Sequence, residues 1–159
     1  MVLDMRIAIG SDHAGFTLKQ HIASFLKAAG HDILDLGAFT VNPSDDYPDF
    51  AKVVGEAVKD GRAERGVLIC GSGVGASVAA NKLPGIRAAM CHDTYSAHQG
   101  VEHDDMNVIV FGSRIIGVAL AEELVVAYLR SSFTHEERHA RRLAKVRAIE
   151  SQYSCSNPP

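Results

Sequence analysis

Cysteine is scarce in this sequence, long apolar runs are missing, and charge of neither sign dominates. Cys70, Cys91 and Cys155 are the three thiols among 159 residues. They are odd in number and lack any C-x-x-C spacing, which argues against a disulfide framework and a structural zinc site and makes a reducing cytoplasm the simpler home. No apolar run approaches the roughly 20 residues that span a bilayer, so no membrane partner is expected. The opening MVLDMRIAIG is interrupted by Asp4 and Arg6 and shows no cleavage site, so export is not expected either, and Met5 is an alternative start. A net charge of -3 argues against nucleic acid as a partner, although the stretch from Arg138 to Arg147 is locally basic. Internal repeats and interdomain linkers are absent.

What remains is a composition of 47% hydrophobic and 22% charged residues, that of a chain able to bury one substantial core. We expect a single domain over residues 1–150. The final residues 151–159 are expected to form a flexible tail, because QYSCSNPP has little to bury and ends in two prolines. Apolar runs too short for helices recur at RIAIG (6–10), DILDLG (32–37), GVLICG (66–71), IRAAMC (86–91) and NVIVFG (107–112). Several are nearly continuous in Val, Ile and Leu, as parallel strands covered on both faces are. Helix-length segments at 15–29, 49–60, 74–83, 94–101 and 117–131 separate or follow them, and a last helix starts near Thr134, whose hydroxyl is expected to form a capping box with Glu137. This alternation predicts an open, mostly parallel α/β sheet with right-handed crossovers. Ligands of such sheets sit at the carboxyl ends of the strands. Those positions hold Ser11, Asp12 and His13, then Cys70 with Gly71, Gly73 and Gly75, then His92 and Asp93, then Arg114.

The glycine loop invites a nucleotide reading, but G-x-G-x-G lacks the spacing of the dinucleotide fingerprint, follows the third strand, and carries no Walker Lys-Ser/Thr. Its physics survives the failed motif: glycines let backbone N–H groups approach a ligand, and the helix behind them turns its positive end to an anion. Cys70 at that end suits a base or nucleophile, since such a position favours the thiolate; the alternative is a small buried residue closing a core strand. Cys91 closes a strand with no glycine loop behind it and is read as structural, and Cys155 as incidental. HEERH at 135–139 satisfies H-E-x-x-H, but its glutamates fall in a capping turn beside the basic ARRLAKVR and no third ligand stands out, so no metal is expected. On the same helix Arg138 and Arg142 lie one turn apart, beside Ile149 on the edge of a stripe formed with Leu143 and Val146. Two guanidinium groups so placed suit a phosphate; a solvated charged face is the other reading. His103, read as part of a polar loop before the fifth strand, and His13, after the first, are acid–base candidates near neutral pH, although a lone loop histidine is often plain polar surface.

Taken in order, GSDHAGF (10–16), DYPDFA (46–51), LICGSGVGASVAANKLPGIRAA (68–89), EHDDMNV (102–108), FGSR (111–114) and ERHARR (137–142) make the chain resemble the type B ribose-5-phosphate isomerases, a group related to the galactose-6-phosphate isomerase subunits. The resemblance runs from Met5 to Glu150. It implies a Rossmann-like three-layer α/β/α sandwich with a five-stranded parallel sheet and an extra C-terminal helix. It also implies a homodimer with active sites between subunits, tetramers being a further option, and neither cofactor nor metal. On matching positions it makes Cys70 the base that moves a proton between sugar C2 and C1, His103 the proton donor in ring opening, and Ser72 a proton relay between O1 and O2. Asp12, His13, Asp46 and Tyr47 would contact the substrate. The amides of Gly71, Ser72, Gly73, Val74 and Gly75 would hold the enediolate oxygen, and Arg114, Arg138 and Arg142 the phosphate, the last two from the partner subunit. Asp104 stands where relatives carry an asparagine that touches the sugar; a carboxylate cannot donate as an amide does and repels a nearby phosphate, so the preferred sugar is in question. Ribose 5-phosphate is therefore read alongside tetrose 4-phosphates and hexose 6-phosphates as substrate, and alongside a non-catalytic sugar-phosphate binder as function.

Overall fold

The computed structural model describes residues 4–154. Five strands, β1 (Arg6–Ser11), β2 (Asp32–Asp35), β3 (Arg65–Cys70), β4 (Ala88–Met90) and β5 (Val108–Gly112), alternate with helices α1 (Phe16–Ala28), α2 (Tyr47–Lys59), α3 (Val74–Ala80), α4 (Thr94–Asp104) and α5 (Val118–Arg130), and α6 (Glu137–Ser154) follows. The strands form one parallel sheet in the order β2-β1-β3-β5-β4. This is the expected α/β architecture with an extra C-terminal helix. Among the described residues, no helix is long and apolar enough to cross a membrane.

The unbroken apolar strands follow from burial on both faces. Successive side chains point to opposite sides of a sheet. Ile7, Ile9, Val67, Ile69, Ile109 and Phe111 join residues of α1, α4 and α5 in one core, while Ala8, Leu68, Cys70, Val108 and Val110 join α2 and α3 in the other. This division is the one right-handed crossovers require. The steps β1 to β2 and β4 to β5 run one way across the sheet and carry α1 and α4; β2 to β3 and β3 to β4 run the other way and carry α2 and α3. The chain thus leaves β1 in one direction and β3 in the other, which places a switch-point crevice above their neighbouring carboxyl ends.

Local departures from expectation have local causes. The segment expected to be helical over 74–83 stops at Ala80, because the Asn81 side chain pairs with the Ala88 backbone, accepting from its N–H (2.9 Å) and donating to its carbonyl (2.8 Å), and so turns the chain into β4. The loop expected around His103 is instead the last turn of α4. That helix continues until Asp105 adopts φ 53°, with the Asp105 and Met106 N–H groups donating to the Val101 and Gly100 carbonyls. The Thr134–Glu137 capping box does not form: Thr134 Oγ1 pairs with His139 Nδ1 at 2.6 Å and Glu137 with Arg141 at 2.7 Å. Helix α6 outlasts its expected end near Ser151, running to Ser154; of the segment expected as a tail, residues 155–159 with Cys155 lie outside the described residues.

Candidate active site

Three strand ends build a cleft of about 360 Å³ lined by Asp12, His13, Ala14, Tyr47, Cys70, Gly71, Ser72, Gly75, Arg114 and Ile115. Ser11 lies opposite Ile69, and Cys70 opposite Gly112, so the loops after β1, β3 and β5 leave the sheet at nearly one level. Each loop is then tied to its neighbour. The Ser113 hydroxyl donates to the Ala14 carbonyl at 2.8 Å, and the Arg114 N–H to the Gly71 carbonyl at 3.0 Å. Asp12 is buried, and its carboxylate accepts the Gly15 N–H at 3.0 Å, which folds the β1 loop back toward β3.

The glycine loop is shaped from within. Gly73 takes φ +85°, a conformation that side chains other than glycine's adopt only with strain, and its N–H donates to Cys70 Sγ at 3.2 Å. The Val74 N–H is 3.3 Å from Ser72 Oγ. The Gly73 and Val74 amides expected to meet an oxyanion are therefore engaged with the thiol and hydroxyl of the loop itself, and neither residue lines the cleft; Gly71 and Gly75 do. A Cβ on Gly75 would fall 2.6 Å from Tyr47 Cζ, so glycine there lets the phenol ring lie against the loop.

His13 is oriented by a residue that sequence reasoning missed. Asp45 Oδ1 accepts both the His13 backbone N–H (3.0 Å) and Nδ1–H (2.6 Å), leaving Nε2 as the ring's other polar atom. Asp46, expected to contact substrate, is exposed at the N-cap of α2 and does not line the cleft. The signal available was DDYP: of two adjacent aspartates before a helix, one takes the N-cap position, here without a side-chain capping bond, and the other is turned back to His13. Which does which is decided by the path of the 36–46 loop.

His103, Asp104, Arg138 and Arg142 stand elsewhere, around the end of α4 and the start of α6. The His103 ring stacks on His139, with centroids 3.9 Å apart and planes at 26°, and the Gln99 amide nitrogen approaches its Nδ1 at 2.8 Å. Gln99 and His139 were not singled out from sequence as partners of His103; the i, i+4 spacing of Gln99 and His103 carried the first contact. The two histidines of HEERH do not share a helical face, since His135 precedes α6 with φ 58° and His139 is buried beneath His103. Arg138 and Arg142 are exposed. The stripe they were expected to border is buried only at Leu143; Val146 and Ile149 are 50% and 60% exposed. Together with Asp104 and Tyr153 these two line a larger groove of about 930 Å³ beside β4. Its lining residues include neither cysteine nor histidine, whereas the smaller cleft is lined by both Cys70 and His13.

Electrostatics sorts the remaining candidates. Burial and, secondarily, Asp93 push the Cys91 thiol up to about 11, which fits its structural reading. Asp93 is held below the usual carboxylate range by the Ser96 N–H and hydroxyl it accepts as N-cap of α4, and His92 Nε2 accepts the Gly112 N–H at 3.1 Å. Both are accounted for structurally. Burial first, then His103 and Arg138, hold His139 below the ordinary histidine value. The arrangement in the cleft offers a thiol, a hydroxyl, an oriented imidazole, a carboxylate and a guanidinium around a small polar volume, a set suited to moving protons on an anionic substrate.

Comparison with known proteins places this set in context. A family model described as ribose/galactose isomerase matches residues 7–146. Ribose-5-phosphate isomerase B of Escherichia coli is 43% identical over 145 residues, 91% of this chain and 96% of that protein. D-erythrulose-4-phosphate isomerase of Pectobacterium atrosepticum is 42% identical over 129 residues, 81% and 85% of the two chains. The solved structure of Clostridium thermocellum ribose-5-phosphate isomerase B superposes with a TM-score of 0.90 at 48% identity, covering 94% of this chain and 99% of that one. Parallel sheets with glycine loops are common to many enzymes, but agreement of sequence and backbone over nearly the whole length is not, and the chain belongs to the ribose/galactose isomerase family.

Proposed function

We propose that the protein is a cytoplasmic aldose–ketose isomerase interconverting D-ribose 5-phosphate and D-ribulose 5-phosphate through a cis-enediolate. The observation that carries the reading is Cys70, held by the Gly73 N–H at the closed end of a cleft that also presents Ser72, His13 and Arg114. In this reaction C2 is oxidised and C1 reduced within one molecule, so no external electron carrier is required. Cys70 as thiolate takes the proton from C2 and returns it to C1, while Ser72 passes the hydroxyl proton between O1 and O2. The Gly71 and Gly75 amides offset charge on the enediolate oxygen. Asp12, Tyr47 and the Asp45-oriented His13 contact the sugar, and Arg114 meets the phosphate.

His103, read as the ring-opening donor, does not line the cleft of its own chain. In the proposed reading a second copy supplies it: His103, with Arg138 and Arg142 of the partner subunit, closes the site across a homodimer. Exposed Val74, Met90 and Ile115 near the cleft, and Val146 and Ile149 on α6, are the apolar surface such a partner would cover. Cys70→Ala and Arg142→Ala variants are each expected to be nearly inactive. After mixing and subunit exchange they should recover about a quarter of wild-type activity, because half of the dimers then carry one intact site. No recovery, with exchange verified, refutes the shared site.

The substrate itself is tested with a panel of ribose 5-phosphate, erythrose 4-phosphate and allose 6-phosphate, following ketose formation. Ribose 5-phosphate is expected to give the highest kcat/KM. A tetrose preference would move the assignment to the activity named for the Pectobacterium relative, and conversion of none would favour a sugar-phosphate sensor.

A further inference from the structure

We propose that His139 is a positioning residue for His103, forming the floor on which the ring-opening donor is held; this rests on the isomerase reading above. His103 is fixed from two sides. Along its edge, the Gln99 amide N–H donates to Nδ1 at 2.8 Å, so the neutral ring keeps its proton on Nε2, the atom left to meet a sugar oxygen. Across its face lies the His139 ring, at a 3.9 Å centroid separation.

His139 is the more deeply buried of the two rings. It is 1% exposed in the first turn of α6, its Nδ1 is 2.6 Å from Thr134 Oγ1, and its Nε2 is buried with no hydrogen-bond partner. An imidazole with one orphaned nitrogen is a poor choice for filling space, since an apolar side chain would do so without leaving a buried polar atom unmade. The features that account for it are the flat ring face and the Thr134 anchor. Burial first, then His103 from α4 and Arg138 and Arg142 from its own helix, oppose a proton on His139, against Glu136, which favours one, so the floor of the stack is the neutral ring. A donor displaced by about 1 Å loses on the order of a hundredfold in rate, which gives a floor of this kind its value.

Ring opening can be read apart from isomerisation. Cys70→Ala cannot move the C2 proton but retains the donor, so it should accelerate α/β anomer exchange of [1-13C]ribose 5-phosphate, measured by NMR exchange spectroscopy. Adding His139→Ala is expected to lower that acceleration at least tenfold, and adding His103→Ala to abolish it. Replacement by His139→Phe, which keeps a flat ring face, should restore most of it, whereas His139→Asn, which keeps a polar anchor without a ring, should not. Melting temperatures within a few degrees of the parent show that the variants are folded. Unchanged exchange in the His139→Ala variant, or equal loss in Ala and Phe variants that remain folded, overturns the inference. Exchange that Cys70→Ala fails to accelerate removes the ring-opening role and the inference with it, while wild-type turnover of ribose 5-phosphate judges the isomerase reading independently.

Discussion

Replacing Gly75 by alanine should separate activity from stability. The new Cβ would lie 2.6, 2.8 and 3.0 Å from Cζ, Cε2 and Cε1 of Tyr47, where ordinary contact begins at 3.4 Å, so the ring must retreat by about 0.8 Å. Two stability terms oppose each other. Alanine in place of glycine in a helix gains up to about 1 kcal/mol, while forcing an extra carbon into a packed contact loses about 1–3 kcal/mol. Tyr47 is 41% exposed and can swing aside, which favours the low end of the penalty and a net change of about 1 kcal/mol or less. Activity has no such relief, because Tyr47 and Gly75 both line the cleft, and a shift approaching 1 Å in a substrate-positioning group corresponds to about a hundredfold in kcat/KM. The assay pairs urea denaturation with ketose formation in Gly75→Ala, Tyr47→Ala and the double variant. With the ring removed, the alanine should become neutral or stabilising and cost no further activity. A Gly75→Ala penalty of the same size in the Tyr47→Ala background would refute the steric argument.

Other expectations concern single groups. Iodoacetamide should label Cys70, which is buried but lines the cleft, with protection by ribose 5-phosphate, whereas Cys91, also buried but away from the cleft and with its thiol pushed up to about 11, should stay unlabelled in the native protein by peptide mass spectrometry. Asp45→Ala, which removes the acceptor of two His13 hydrogen bonds, should raise KM about tenfold with kcat little changed, and Asp45→Asn should lose less. Lys19 is fully buried against both Asp35 oxygens at 2.7 and 2.8 Å; Asp35→Ala should therefore destabilise by about 3–5 kcal/mol in denaturant titration, and pairing it with Lys19→Met should recover much of the loss. Since folding holds His139 below its ordinary value near 6.5, its contribution to stability is present above that pH and is lost as pH falls below it, and His139→Phe should flatten the decline between neutral and mildly acid pH in thermal melts.

Much of this protein was legible in one dimension because its strands are buried on both faces. GVLICG and NVIVFG can be little else in a chain of this length, and chemistry placed after each run falls on one edge of the sheet by the rule for parallel strands. Asp12, His13, Cys70 and Arg114 were found in that way and do share a cleft, together with Ser72, which the family resemblance added. The polar end of α4 was not legible: the HDDM stretch presents no apolar period, and the stop is a left-handed aspartate where a glycine would have marked it. Asp45 and His139 escaped for a different reason. Each acts on a histidine brought to it by the fold, His13 by a loop 32 residues away and His103 by helix packing, and no local pattern encodes either meeting.

The sequence by itself determined the alternation of strand and helix, the glycine-lined turn and the thiol that closes β3, because burial period, backbone freedom and strand length are properties of neighbouring residues. Only the tertiary structure decided that β5 lies inside β4, that Asp45 and not Asp46 holds His13, and that His103 rests on His139 away from Cys70. Those are long-range choices, made by which buried faces fit together after the chain has turned back on itself.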